Sequence, residues 1–262
     1  MNGTIVMIHG MWGNNWYWQN YKEYFESRGY RCIAPILRHH DVGPFSRPPA
    51  QLGTTSLLDY AADLEREIKT LDSRPVIMGH SMGGLLAQIL GSRGLAEKLV
   101  LLTPAAPRGI LSLKPSVIKS FSDVIIKNFP VLWNKPLKQS FNMAVYSMLH
   151  LLPESRQKEI YDKFIYESGR ATCEIGFWLF DIIKASYVDH SKVTCPVLVI
   201  AGAEDRITPA SVVKKVAEKY LPFSEYKSFD HHAHWVVGEP GWEDIAKYIQ
   251  DWLSQEKDGD SK

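Results

Sequence analysis

Pro75-Val76-Ile77-Met78-Gly79-His80-Ser81-Met82-Gly83-Gly84-Leu85-Leu86-Ala87-Gln88-Ile89-Leu90 is the stretch on which the fold of this chain turns. A short apolar run of strand character leads into Ser81, and a helical pattern leaves it. Gly79 and Gly83 stand two residues either side of the serine, giving G-x-S-x-G on a strand-to-helix corner. The spacing has a steric reason. So tight a corner forces the central residue into a strained backbone conformation, and side chains two positions away would collide. The bend lifts the Ser81 hydroxyl above the sheet and aims backbone N–H groups at one point, an arrangement suited to attack on a carbonyl.

Working outward, strand and helix signals alternate. Residues 4–8 read as a strand, 16–28 as a helix stopped by Gly29, and 30–34 as a second strand stopped by Pro35. In 55–71, Leu57, Leu58, Ala61, Leu64 and Ile68 make an apolar stripe opposite Asp63, Glu65, Arg66 and Glu67. Strand 74–78, helix 82–93 and strand 99–103 follow. From Pro104 to about His190 the alternation stops, leaving helical patterns and prolines with no central strand. It resumes with strand 196–201, helix 209–220, strand 224–229 and helix 242–254, before a polar tail, 255–262, expected to fray. Continuous apolar strands joined by helices predict an α/β protein with a mostly parallel sheet of about six strands covered on both faces. Both flanks of the interruption are core strands, and each half alone would leave half a sheet open. The reading is therefore one core domain, 1–103 and 191–262, carrying a helical cap, 104–190, between two late strands.

Composition narrows the partners. Of 262 residues, 45% are hydrophobic and 23% charged, enough to bury a sizeable core. A formal net charge of +1 gives no electrostatic reason to expect nucleic acid or an anionic membrane. Cys32, Cys173 and Cys195 lie far apart without C-x-x-C spacing, and read as buried small hydrophobes in a reducing compartment. Met1 leads almost directly into a strand with no basic and apolar leader, and the apolar stretch 175–187 is broken by Asp181 and Lys184. The expectation is a cytoplasmic protein with no membrane span. His39-His40-Asp41 and the later His231, His232 and His234 are metal-ligand residue types, but lack a helix-spaced pair such as H-E-x-x-H, so no metal is expected. No Walker motif occurs, and Gly13 does not extend a G-x-G-x-x-G; no cofactor is implied.

Further motifs lie along the chain in a definite order. His9-Gly10-Met11-Trp12-Gly13 follows the first strand, the Ser81 bend the third, and the insertion the fourth. Ala201-Gly202-Ala203-Glu204-Asp205-Arg206-Ile207-Thr208-Pro209 closes the next strand, and His234-Trp235-Val236-Val237-Gly238-Glu239-Pro240 precedes the last helix. Over nearly its whole length the chain resembles an α/β-hydrolase of the capped, lipase- and esterase-like kind. That resemblance implies the α/β-hydrolase fold and a catalytic order Ser, Asp, His. Ser81 would be the nucleophile and Asp205, in a G-x-x-D-x-x-x-P loop, the acid. His234 would be the base, with His231 and His232 as loop residues. The family usually has Gly before this His; here Ala233 stands, small enough for the same approach. The oxyanion donors would be the backbone N–H groups of Met11 and Met82, with His9 bracing the loop. Trp12 is a candidate pocket wall or core residue, and His80 a packing residue. Arg38-His39-His40-Asp41 departs from the family's usual D-x-x-G-H-G.

The resemblance implies a cofactor-free serine hydrolase cleaving a carboxylic ester of an apolar or acyl small molecule. The same triad serves carbon–carbon (diketone), thioester and lactone hydrolysis and perhydrolysis, and the fold also hosts ligand receptors. Serine rather than aspartate at 81 argues against the dehalogenase and epoxide-hydrolase branches. Within the insertion, apolar residues including Met143 and Met148 are candidate walls for an acyl pocket. Oligomeric state is not readable from the sequence.

Overall fold

A computed structural model describes residues 2–255, so of the tail expected to fray only Gln255 falls within the described residues. In chain order the strands are β1 (Thr4–Ile8), β2 (Arg31–Ile33), β3 (Val76–His80), β4 (Lys98–Leu102), β5 (Pro136–Leu137), β6 (Glu167–Ser168), β7 (Val197–Gly202) and β8 (Ser224–Phe229). The α-helices are α1 (Gln19–Glu26), α2 (Leu57–Ile68), α3 (Met82–Ser92), α4 (Pro115–Asn128), α5 (Phe141–Ala144), α6 (Glu154–Asp162), α7 (Gly169–Gly176), α8 (Ala210–Glu218) and α9 (Trp242–Leu253).

Six strands form one parallel sheet in the order β2-β1-β3-β4-β7-β8. Strands β3 and β7 are buried at every position, and β1 and β4 at all but their first. That is why each reads as an unbroken apolar run rather than an alternation. Edge strand β8 alternates instead, exposing Glu225 and Lys227, charges that discourage pairing with another chain. The helix α2 is held at its start by a capping box of Ser56 and Asp59, and buries Leu57, Tyr60, Ala61, Leu64 and Ile68. Tyr60 thus joins the stripe, and Leu58 packs half-buried against the same core.

Strand order reverses between β1 and β3, whose neighbours lie on opposite sides. At such a switch point the loops leaving the two carboxyl ends part and open a crevice. Ile8 pairs with Gly79 at the ends of these strands, so His9-Gly10-Met11 and Ser81 emerge side by side.

Between β4 and β7 the chain builds α4 to α7, a π-helical turn Val145–Leu149 and the antiparallel ribbon β5–β6. The two-residue ribbon strands are too short for a periodicity to register, and they lie outside the main sheet. Two buried carboxylates tie this segment to the rest. Glu167 accepts from Tyr60 Oη (2.8 Å) and lies 3.1 Å from His40 Nε2. Glu174 accepts from Ser56 Oγ (2.8 Å) and the Leu57 N–H (2.8 Å) at the start of α2. Ala144, Met148, Leu149 and Phe164 join the main core, whereas Val124, Leu132, Leu137 and Cys173 form a small cluster of their own.

Candidate active site

The bend after β3 holds Ser81 at φ 55° and ψ −120°, a left-handed conformation that a residue with a side chain adopts only when its surroundings over-determine it. They do. The Ser81 N–H donates to the Leu102 carbonyl (3.0 Å), and its own carbonyl accepts from the N–H groups of Gly84 (2.9 Å) and Ala105 (2.9 Å). A Cβ at Gly79 would stand 2.2 Å from the Gly83 carbonyl oxygen, and one at Gly83 2.1 Å from that of Ile8. Both contacts are backbone, so neither can yield.

Three side chains meet above this bend. His234 Nε2 lies 2.9 Å from Ser81 Oγ, and His234 Nδ1 lies 2.8 Å from Asp205 Oδ2. A carboxylate facing Nδ1 assigns the proton to that nitrogen and leaves Nε2 free to accept from the serine hydroxyl. The imidazole reaches the site from the loop after β8, and Gly202 lets that loop close in. A Cβ at Gly202 would be 2.2 Å from the Ala233 carbonyl oxygen. His80 secures the main chain there: its Nε2–H donates to the His234 carbonyl (2.8 Å). Glu239 secures the other side, accepting the Ala233 N–H (2.9 Å) and lying 3.1 Å from His232 Nδ1.

Asp205 sits in a turn that saturates it. Oδ1 accepts the N–H groups of Ile207 (2.7 Å) and Thr208 (2.9 Å), and Thr208 Oγ1 stands 2.7 Å from Oδ2. Burial alone would push this carboxyl up; the His234 ring and the Thr208 donors outweigh burial and hold it below the ordinary aspartate value. His9 and His80 go the other way from an ordinary histidine. Burial, with His40 beside His9 and His234 beside His80, lowers each to about 3, so both rings are neutral. The His9 tautomer follows from its neighbours. Nε2 accepts the Leu37 N–H (3.2 Å), so Nδ1 carries the proton and donates to the Gly10 carbonyl (2.9 Å). That carbonyl belongs to the peptide whose N–H is Met11's, and a trans peptide points the two in opposite directions. Tyr17 Oη pins the next carbonyl, that of Met11, at 2.7 Å.

Met11, Ser81 and Met82 share a cavity of about 270 Å³ whose other walls are mostly apolar, among them Ile110, Phe121 and Ile175. The walls come from residues 105–132 and 172–178, between β4 and β7, together with Ile207, Thr208 and Val212. Met143 and Met148 are not among them. Trp12 is not a wall either; it is buried against Phe121, 5.9 Å between ring centroids. His231 is exposed and 3.8 Å from Glu204, and His40 is buried on Glu167, so the histidine clusters do not converge. Thr208 and Tyr17 carry no role that the sequence alone assigns. Position 208 lies inside the Asp205 loop, which is the one signal that pointed to it.

A sequence profile described as the alpha/beta hydrolase fold matches residues 3–240. The chain belongs to that family. Protein ABHD8 of Bos taurus is 25% identical over 239 residues, 90% of this chain and 52% of that protein. The chain thus spans about half the length of the ABHD8 proteins it matches. Among solved structures, the methylesterase MES16 from Arabidopsis superposes with a TM-score of 0.70 at 12% identity, covering 96% of this chain and 98% of that one. A monoacylglycerol lipase from Paleococcus ferrophilus gives 0.66 at 20% identity, over 96% and 93%. At these identities the likeness is one of fold. Among the described residues of this alpha/beta hydrolase, no helix is long and apolar enough to cross a membrane.

Proposed function

We propose that the chain is a carboxylic-ester hydrolase for apolar acyl substrates, with Ser81 as nucleophile, His234 as base and Asp205 as its orienting acid. The observation that carries this is the continuous line from Asp205 Oδ2 through His234 to Ser81 Oγ, with links of 2.8 and 2.9 Å, at the wall of an apolar cavity. In this reading His234 Nε2 takes the hydroxyl proton as Ser81 Oγ bonds to the ester carbonyl carbon. The resulting oxyanion is held by the N–H groups of Met11 and Met82, preorganised dipoles that need no rearrangement. His234 then hands the proton to the departing alkoxide. Water repeats the sequence on the acyl-serine and frees the acid. No cofactor enters the cycle.

The apolar walls support an acyl rather than a polar substrate, since water excluded from them strengthens the dipoles at Ser81. Residues 104–190 act in this reading as the cap, supplying most of those walls. The names of the solved neighbours, a methylesterase and a monoacylglycerol lipase, agree with ester chemistry. The test is turnover of p-nitrophenyl esters of rising chain length by the protein and by Ser81→Ala, His234→Ala and Asp205→Asn. Each variant should lose at least about a thousandfold in kcat. Unchanged turnover in Ser81→Ala would refute the proposal.

A further inference from the structure

Two stretches of the insertion expose large apolar side chains beside the cavity mouth. In the first, Leu111, Leu113 and Ile118 are at once cavity walls and solvent-exposed, Leu113 by 70%. In the second, Phe177 and Trp178 face the cavity while Leu179, Phe180, Ile182 and Ile183 stand outside it, Phe180 exposed by 76% and Ile182 by 94%. Arg108 fastens the second stretch to the start of the first. Its guanidinium donates to the carbonyls of Trp178 and Asp181 and lies over the Trp178 ring, and its N–H donates to the Ser186 carbonyl (2.9 Å). A single exposed leucine means nothing, but several large exposed apolar side chains bordering one cavity need a partner.

The charges around the rim identify the partner. The one carboxylate in these stretches, Asp181, is buried and accepts the N–H groups of Ile183 and Ala185, and the nearby half-buried Asp123 is engaged by the Ser140 N–H (2.8 Å) and Lys127. Lys114, Lys119 and Lys184 are exposed among the apolar residues, the Lys119 Nζ lying over the Tyr146 ring at 4.0 Å from its centroid. Lys215 and Lys219 border the shallow depression beside Leu111, together with Glu218. The chain as a whole carries a net charge of only +1, so this concentration of cations is local. Apolar side chains interspersed with lysines match the boundary of an anionic bilayer, where acyl chains take the former and headgroups the latter. A second copy of the chain meeting the rim face to face would set lysine against lysine.

We infer that the rim formed by residues 111–118 and 179–184 docks on an anionic lipid surface, with the cavity mouth facing the membrane. The docking does not depend on the hydrolase reading, because none of the docking contacts is Ser81, His234 or Asp205.

The test is co-sedimentation with phosphatidylcholine vesicles, pure or with about a third phosphatidylserine, at near-physiological salt. The protein should bind the mixed vesicles and bind the pure ones far less. Each lysine near such a surface is worth roughly a fivefold change, so Lys114→Gln, Lys119→Gln and Lys184→Gln together should weaken binding about a hundredfold. Leu179→Ser, Phe180→Ser and Ile182→Ser together should reduce it at least tenfold with near-UV circular dichroism unchanged, as these three are not cavity walls. Ser81→Ala should bind like the parent. The inference is overturned if the parent stays in the supernatant with mixed vesicles, or if both triple variants bind as it does. It is equally overturned if light scattering shows a dimer that the apolar triple variant abolishes, for then a second copy covers the rim.

Discussion

Replacing His9 separates the orientation of a peptide from the stability of the loop that carries it. In His9→Ala the Gly10 carbonyl loses its donor (2.9 Å) and the Leu37 N–H its acceptor (3.2 Å), both in buried residues. Two orphaned buried groups cost about 1–3 kcal/mol each, so stability should fall by roughly 2–6 kcal/mol. The effect on rate has a different origin. If Met11 N–H holds the oxyanion, freeing the Gly10 carbonyl lets that N–H turn from the site. Losing such a donor altogether costs about a hundred- to a thousandfold in kcat, and partial misalignment about tenfold. His9→Asn tells the two effects apart. Its side-chain NH₂ can occupy the place of Nδ1 and still donate to the Gly10 carbonyl, while nothing replaces Nε2 for Leu37. It should lose about 1–3 kcal/mol yet keep kcat within a few-fold. The assay is steady-state hydrolysis of a short p-nitrophenyl ester beside urea unfolding, between pH 7 and 9, where the His9 ring, lowered to about 3 by burial, stays neutral. A folded His9→Ala with parental kcat, or a His9→Asn as slow as His9→Ala, would show that His9 does not orient the Gly10–Met11 peptide.

Stability should fall on acidification from about pH 6.5 to 5.5. His9 and His80, held at about 3 by burial, stay neutral in the folded chain while the unfolded chain takes up protons near 6.5. The unfolded state therefore binds more protons, and each ring contributes about 1 kcal/mol across that pH unit. His40, which burial lowers but Glu167 raises overall, opposes this in the same range, and Glu174 and Glu239, raised chiefly by burial, oppose it nearer their own; urea titrations showing a flat or rising stability would contradict the assignment. Gly83→Ala should cost at least about 3 kcal/mol or prevent folding, because its Cβ meets the Ile8 carbonyl oxygen at 2.1 Å and backbone cannot move aside. A thermal melt within a few degrees of the parent's would show that α3 can shift after all.

What the sequence made legible was whatever a local pattern encodes. Apolar runs marked the buried strands β1, β3, β4 and β7, and the glycines at 79 and 83 marked the bend, because steric demands there leave no alternative residue. Family spacing singled out His234 from His231 and His232, and the three lie in different surroundings: His234 against Asp205, His232 on Glu239 and His231 exposed. The rest depended on contacts distant in sequence. Whether an apolar residue of the insertion faces the cavity, its own small cluster or the main core is set by tertiary packing, so Met143 and Met148 read no differently from Ile110 and Phe121. No local pattern singles out the anchoring carboxylates Glu167 and Glu174, since their partners lie over a hundred residues away in sequence. Tyr17 stood inside a helical aromatic pattern that concealed its hydroxyl's hold on the Met11 carbonyl.

An activated serine at position 81 carries the proposed chemistry, and labelling with a fluorophosphonate followed by peptide mass spectrometry tests it directly. One adduct per chain is expected, on the peptide containing Ser81, abolished in Ser81→Ala and slowed by orders of magnitude in His234→Ala. An adduct elsewhere with Ser81 unmodified, or labelling as fast in His234→Ala as in the parent, would contradict it.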